Sequence, residues 1–326
     1  MAYPGIPDNL YHNSSGWQKG NELMAAKLRL YLRLMRVHHY IKNVFLFLPL
    51  FFSGRLLERQ PAISTLVGFA AYCCACSVVY ILNDIMDADN DRRHSVKKNR
   101  PIASGEISVR SAVILAAVLL VLCLGIQLIA GQWVWRTAKL NAAESWVCLL
   151  SYLLLNIAYS RGLKHVPIVD ITILTAGFLL RLVYGAALTG IAVSGWLFLT
   201  VLTTSFYMAL GKRRGELLKQ DDTRQVLKSY NQGFLDKSMN MCLTLTIAFY
   251  SLWAAEWVGL QSNGLSQPRG LLWTVPVAFL LCMKYSLDIE GDSDGDPVEV
   301  ILQDKILCAM LVLFVLLAFI LLYLPV

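Results

Sequence analysis

Nine consecutive residues, Asn83-Asp84-Ile85-Met86-Asp87-Ala88-Asp89-Asn90-Asp91, carry the strongest chemical signal in the 326-residue chain. At about 100° per residue on a helix, Asp84, Asp87 and Asp91 fall near 0°, 300° and 340° and Asn83 near 260°, so four polar groups share one stripe while Asp89 points away. Three carboxylates on one stripe repel each other unless a cation joins them. Hard oxygen donors of this kind suit Mg²⁺, which takes one or two carboxylates together with substrate phosphates. The stripe is therefore a candidate holder of a Mg-diphosphate. The plainer alternative is a solvated acidic loop balanced by Arg92, Arg93, Lys97, Lys98 and Arg100.

Cations that could gather phosphates recur elsewhere. Arg36, Lys42 and Asn43 lie in Arg36-Val37-His38-His39-Tyr40-Ile41-Lys42-Asn43, and Tyr159-Ser160-Arg161-Gly162-Leu163-Lys164-His165 is a short hinge presenting a phenol and cations. Lysines near the end of an apolar run also snorkel to headgroups, and His38 and His165 are read as interfacial packing. Asp170 and Arg181 sit inside one apolar run, where ionisable groups are expensive. They share a face but stand roughly 16 Å apart along the axis, too far to pair. Each must find another partner or line a polar cavity, and the planar fork of an arginine binds oxyanions bidentately. Gly211-Lys212-Arg213-Arg214-Gly215-Glu216 adds three bases, with Lys212 and Glu216 spaced for a helix-surface ion pair. The stretch Lys284 to Pro297, which includes Asp288, resembles a Ca²⁺ loop but lacks its spacing and closing Glu. It is read as a lid or a solvated loop.

The elements that must position these groups are apolar helices. The apolar set makes up 56% of the chain and charged residues only 16%, against about 25% charge in soluble domains. Nine runs long enough to cross a hydrocarbon core are expected at about 38–54, 62–83, 109–130, 145–160, 166–188, 194–211, 238–257, 270–287 and 305–324. Backbone satisfaction in lipid makes unalternating runs helical, so the fold class is an all-α, multi-pass transmembrane bundle of about nine helices. The expected organisation is a flexible polar tail, 1–26, and one transmembrane catalytic domain, 27–326.

Of the 29 Lys and Arg, 23 fall on the side of the first tail and alternate loops, five fall on the other side, and Arg181 lies within a run. The positive-inside rule makes the N-terminus and the acidic stripe cytoplasmic and, after nine spans, the C-terminus external. The net charge of +7 needs no nucleic acid to explain it. The eight cysteines all lie in apolar runs and read as packing. The N-terminal residues lack the apolar segment of a secretory signal.

The motif N-D-x-x-D-x-x-x-D, where a second span runs out into a cytoplasmic loop of a basic membrane protein, resembles the UbiA superfamily of intramembrane prenyltransferases. The resemblance runs from about Leu34 to the end. In that superfamily a second acid-rich motif is usual, whereas the matching segment here is Gly211-Lys212-Arg213-Arg214-Gly215-Glu216. Together with Arg36 to Asn43, Arg100 to Gly105, Tyr159 to His165, Leu180-Arg181 and Tyr285 to Gly291, it is similar to the decaprenyl-phosphate phosphoribosyltransferase branch.

That resemblance implies transfer of 5-phosphoribose from phosphoribosyl diphosphate (PRPP) to a polyprenyl monophosphate in the inner (plasma) membrane. Mg²⁺ would sit on Asp84, Asp87 and Asp91 with Asn83. Lys42 and Lys164 would hold the remaining diphosphate oxygens, and Lys212, Arg213 and Arg181 the other two phosphates. Arg36, Asn43, Arg100, Tyr159, Glu216 and Asp288 would complete the substrate-binding set. The acceptor phosphate is already ionised, so no protein general base is required. Two alternatives stay open: an ordinary prenyltransferase acting on an aromatic acceptor, and a non-catalytic lipid-binding or transport protein. Oligomeric state is not legible.

Overall fold

A computed structural model describes residues 21, 24–94, 96–138, 142–219, 225–260, 270–291 and 296–324, with the side chains of 134–138 and 257–260 not described. Helix α1 covers 24–35. There follow α2 (Leu48–Phe52), α3 (Arg59–Met86), α4 (Ala88–Arg93), α5 (Val109–Ala138), α6 (Ala143–Arg161), α7 (Val169–Thr189), α8 (Gly195–Leu218), α9 (Gln232–Leu260), α10 (Thr274–Glu290), α11 (Pro297–Gln303) and α12 (Lys305–Tyr323). Among the described residues there is no strand, as expected for backbone that must satisfy itself in lipid. The expected tail falls outside the described residues, apart from residues 21 and 24–26, which are helical.

Among the described residues, six segments are long and apolar enough to cross a membrane: Arg59–Met86, Val109–Trp133, Val169–Thr189, Gln232–Glu256, Leu271–Glu290 and Lys305–Tyr323. The protein is thus a multi-pass membrane protein. Three of the nine expected runs are not among these six. Two of them form the long helices α6 and α8, of 19 and 24 residues; α6 carries Glu144 and Arg161 at its ends, and α8 closes on Lys212, Arg213, Arg214 and Glu216. The third, 38–54, is no single helix: a 3₁₀ helix, Val37–Phe47, runs into the five-residue α2, which Pro49 opens.

The chain divides into two compact units, Met1–His38 with Cys76–Leu119 and His39–Ala75 with Leu120–Val326. In the first, α1 is tied to the end of α3 and the loop after α4. Ser77 Oγ donates to the Met35 carbonyl at 3.0 Å, and Arg33 donates to the Asn99 carbonyl at 2.9 Å.

In the second unit α8 packs on α7 and α9, α6 on α7, and α10 on α12. Its apolar core has one centre around Val226, Leu235, Ile289 and Leu307 and another around Phe52, Leu182, Trp253 and Leu271. Ser194 caps α8 by accepting from the Leu197 amide at 3.2 Å, and Asp304 caps α12 through the Ile306 and Leu307 amides at 2.7 and 2.8 Å. Helix α7 ends on Gly190 at φ 68°, the left-handed cap that glycine adopts without strain. At Gly185 the helix meets the Leu46 backbone so closely that a Cβ would overlap it. That contact seats the 3₁₀ segment carrying Lys42 and Asn43 against α7.

Candidate active-site residues

The acidic stripe lies in the first unit. Helix α3 stops at Met86, yet the Asp87 amide still donates to Asn83 (2.9 Å) and the Asp91 amide to Asp87 (2.8 Å), so the helical register continues into α4. The spacing argument therefore survives the break: Asp84 and Asp91 are buried, Asn83 and Asp87 half-buried, and Asp89 is exposed and paired with Arg92. Arg36 donates to Asp84 at 2.5 Å. Arg100 bridges Asp84 at 3.2 Å and Asp91 at 2.7 Å. The Arg36 guanidinium also lies 5.0 Å from the centre of the Tyr80 ring. Arg36 has φ 51°, a left-handed backbone that costs a non-glycine residue about 1–3 kcal/mol. Its ion pair with Asp84 offsets that strain and aims the side chain at the acids.

The expected metal ligands do not form a closed set. Among the described residues no three Asp, Glu, His or Cys side chains are placed to hold a metal by themselves. Two buried carboxylates held together by one guanidinium, with a third one turn away, suit a hard ion that completes its shell with water and phosphate oxygens.

The remaining cations lie in the second unit, where a carboxylate not singled out from the sequence organises them. Asp296 Oδ2 accepts from Lys42 at 3.0 Å and from Lys212 at 3.3 Å, while its Oδ1 caps α11 through the Val298 amide at 3.0 Å. Burial, reinforced by the like charge of Lys212, brings the Lys42 ammonium down to about 8 against the pull of Asp296. Burial also works against ionisation of Asp296, but Lys212 and Lys42 outweigh it and hold the carboxyl well below the usual range. The spaced pair Lys212–Glu216 is not formed: Lys212 turns to Asp296, and Glu216 pairs with Arg213.

Arg213 is fully buried between Asp170, at 3.0 Å, and Glu216. Tyr230 donates to Asp170 at 2.6 Å and accepts from the Ile168 amide at 2.6 Å. It thereby braces the turn at Ile168, whose φ of 66° is an outlier for a β-branched residue. Buried Tyr159 lies within electrostatic reach of Arg213, Lys212 and Glu216, and Lys164 is half-buried in the 3₁₀ turn Leu163–His165.

Asp170 and Arg181 do not pair with each other. Arg181 donates to Asn43 Oδ1 at 2.8 Å and to the Gly177 carbonyl at 2.6 Å, with Tyr152, Tyr72 and Phe178 rings 5.0, 5.1 and 5.7 Å from its guanidinium. Asn43 in turn donates to Cys73 Sγ at 3.2 Å. Arg213, Arg181 and Asn43 are thus held by other protein groups rather than presented outwards. Asp288 is paired with Lys284, which also bonds Asp304 at 2.5 Å. Of the stretch Lys284 to Pro297, residues 292–295 lie outside the described residues. A carboxylate directly before a proline is a helix-start pattern, so Asp296-Pro297 was the available sign of α11.

Comparison with known proteins adds an independent line. The model of the UbiA prenyltransferase family matches residues 46–297. Two curated relatives, from Mycolicibacterium smegmatis and Corynebacterium glutamicum, are both named decaprenyl-phosphate phosphoribosyltransferase. The first is 31% identical over 85% of this chain and 87% of its own length, the second 29% over 85% and 81%. Among solved structures, a UbiA homologue from Archaeoglobus fulgidus bound to GPP and Mg²⁺ superposes with a TM-score of 0.63. It is 17% identical and the match covers 90% of this chain and 99% of that one, a likeness of fold.

Proposed function

Because the chain belongs to the UbiA prenyltransferase family, we propose that it is a Mg²⁺-dependent membrane enzyme that transfers 5-phosphoribose from PRPP to a decaprenyl-type polyprenyl monophosphate, releasing diphosphate. The observation that carries this reading is the convergence of Lys42 and Lys212 on one carboxylate oxygen. It puts paired ammonium groups on the chain where the usual prenyltransferase pattern has a second acid-rich motif. A lipid monophosphate and a sugar 5-phosphate both call for such anion-receiving groups. The two relatives named decaprenyl-phosphate phosphoribosyltransferase, matched over 81% and 87% of their length, support the assignment.

In the transfer, the bond from ribose C1 to diphosphate oxygen breaks and an oxygen of the lipid phosphate bonds C1. Negative charge grows on the departing diphosphate, and its stabilisation is the main catalytic task. Asp84, Asp87 and Asp91, with Asn83 as a neutral donor, would hold Mg²⁺, which when bound would supply that neutralisation. Arg36 and Arg100 hold the carboxylates in register, and Lys42 and Lys164 bind further diphosphate oxygens. Lys212 receives a second phosphate, with Tyr159 beside it. Arg213 and Arg181 act as positioning residues, Arg213 through Asp170 and Glu216 and Arg181 through Asn43, the neighbour of Lys42. No protein base is assigned, since the acceptor phosphate is ionised at neutral pH, and a single displacement inverts the anomeric carbon.

On this reading the N-terminus and the site face the cytoplasm of a plasma (inner) membrane, the C-terminus lies outside, and the product feeds lipid-linked pentose for arabinan-type glycans. The test incubates membranes carrying the protein with labelled PRPP, polyprenyl phosphate and Mg²⁺ and counts label extracted into butanol, with EDTA as control. Metal-dependent label in the lipid is expected. Failure, with transfer instead from a polyprenyl diphosphate to an aromatic acid, returns the protein to the ordinary prenyltransferases.

A further inference from the structure

Helix α1 buries one face and leaves another bare. Leu34 is fully buried, whereas Met24, Leu28 and Leu32 are 70%, 59% and 41% exposed. At about 100° per residue these three fall within about 80° of one another, with Lys27 about 60° to one side and Arg29 about 60° to the other. Lys27 and Arg29 are exposed, and Arg33 is exposed while still bonded to Asn99. An apolar stripe flanked by two cations is the pattern of a helix lying in a membrane interface, its apolar face among the acyl chains and its cations at headgroup phosphates.

The attachment of α1 supports that placement independently. Its C-terminal end is bonded through the Met35 carbonyl to Ser77, nine residues before the end of the α3 span, and through Arg33 to the loop carrying Lys97, Lys98 and Arg100 that follows it. The helix is therefore tethered where an apolar span gives way to a basic polar loop, the level of a headgroup layer.

We propose that α1 is an in-plane anchor that docks on an anionic lipid surface, inserting Met24, Leu28 and Leu32 and pairing Lys27 and Arg29 with lipid phosphates. The anchor abuts Arg36, so lipid that seats α1 also steadies the guanidinium bonded to Asp84. This rests on the placement of α1 and not on the reaction assigned above.

The test uses the full chain in nanodiscs of phosphatidylcholine with and without phosphatidylglycerol, following amide hydrogen exchange over 24–35 by mass spectrometry. Two cations at an anionic surface should slow exchange there about tenfold or more with phosphatidylglycerol, and Lys27→Glu with Arg29→Glu should remove the difference while unchanged exchange over α7 and α8 shows the rest of the protein intact. A second reading comes from a photocrosslinking residue in place of Leu28, expected to capture lipid. Equal exchange in both lipids overturns the proposal. So does capture of protein at position 28, or protection seen only in discs holding two copies, either of which makes the face a contact between chains.

Discussion

Neutralising Asp296 isolates the electrostatics of the paired lysines. Asp296→Asn keeps an oxygen to cap the Val298 amide, so α11 should stay in place. What is lost is the charge that both ammonium groups share. Because Lys42 and Lys212 lie 3.0 and 3.3 Å from the same oxygen, they are no more than about 6.3 Å apart. Their repulsion at that separation already contributes to the lowered Lys42 value; what Asp296→Asn removes is the attraction of the carboxylate at 3.0 Å, roughly 5.5 kcal/mol at an effective dielectric of about 20 before solvent screening reduces it severalfold. The Lys42 ammonium, already near 8, should drop by about 1–2 units.

The sign is fixed by which form binds phosphate. The cation holds the anion, and it is lost as pH rises through the pKa, so a lower pKa brings the loss to lower pH. The alkaline limb of kcat/KM for PRPP should therefore move from about 8 towards about 6–7 in Asp296→Asn. Replacing Lys212 with Met removes the like charge and should move the same limb upwards. An acid limb from ionisation of the substrate phosphates, near about 6, should not move in either variant. The assay is label transfer at saturating polyprenyl phosphate across a pH series. An alkaline limb that stays put in Asp296→Asn would refute the coupling of these three groups.

Three other substitutions probe separate parts of the molecule. Asp84→Ala should lower turnover by roughly 10³-fold or more while gel filtration remains normal; survival of activity with normal Mg²⁺ dependence would remove Asp84 from the metal set. Arg213→Met strands the buried carboxylate of Asp170 and should destabilise by about 3–5 kcal/mol in thermal unfolding, with Asp170→Asn in the same chain recovering part of the loss. Gly185→Ala forces a methyl into the Leu46 backbone and should cost about 1–3 kcal/mol together with a raised KM, through displacement of Lys42. An unaltered melting curve would mean the contact yields freely.

The helical class and the shared face of the acidic stripe were legible in the sequence because both rest on local periodicity: apolar run length for the spans, and 100° steps for Asp84, Asp87, Asp89 and Asp91. Partner choice was not, because it is set by packing between distant segments. Lys212 has Glu216 one turn away and still bonds Asp296, 84 positions later. Arg181 was expected to meet a partner or a cavity, and its partners prove to be an asparagine 138 positions earlier and three aromatic rings. Nothing in a run of apolar residues identifies which tyrosines will face a guanidinium. The first expected span failed for another reason: Val37–Phe47 is apolar enough to read as membrane helix but winds as 3₁₀, a choice composition does not encode.

The pairing of Asp170 with Arg213 also bears on how the chain is built into its membrane. Asp170 opens α7 and Arg213 lies near the close of α8, and the two helices are joined by the short turn at Gly190–Ser194. Either helix entering lipid alone would carry an uncompensated charge, a penalty of about 2.5–3.5 kcal/mol at mid-bilayer that eases towards the interface. Released together as a hairpin, the helices neutralise each other. Arg181 imposes a second condition, because its partner Asn43 belongs to a segment synthesised long before α7. The buried guanidinium of α7 thus completes its set of partners only with an early portion of the chain, 138 positions before it, already in place.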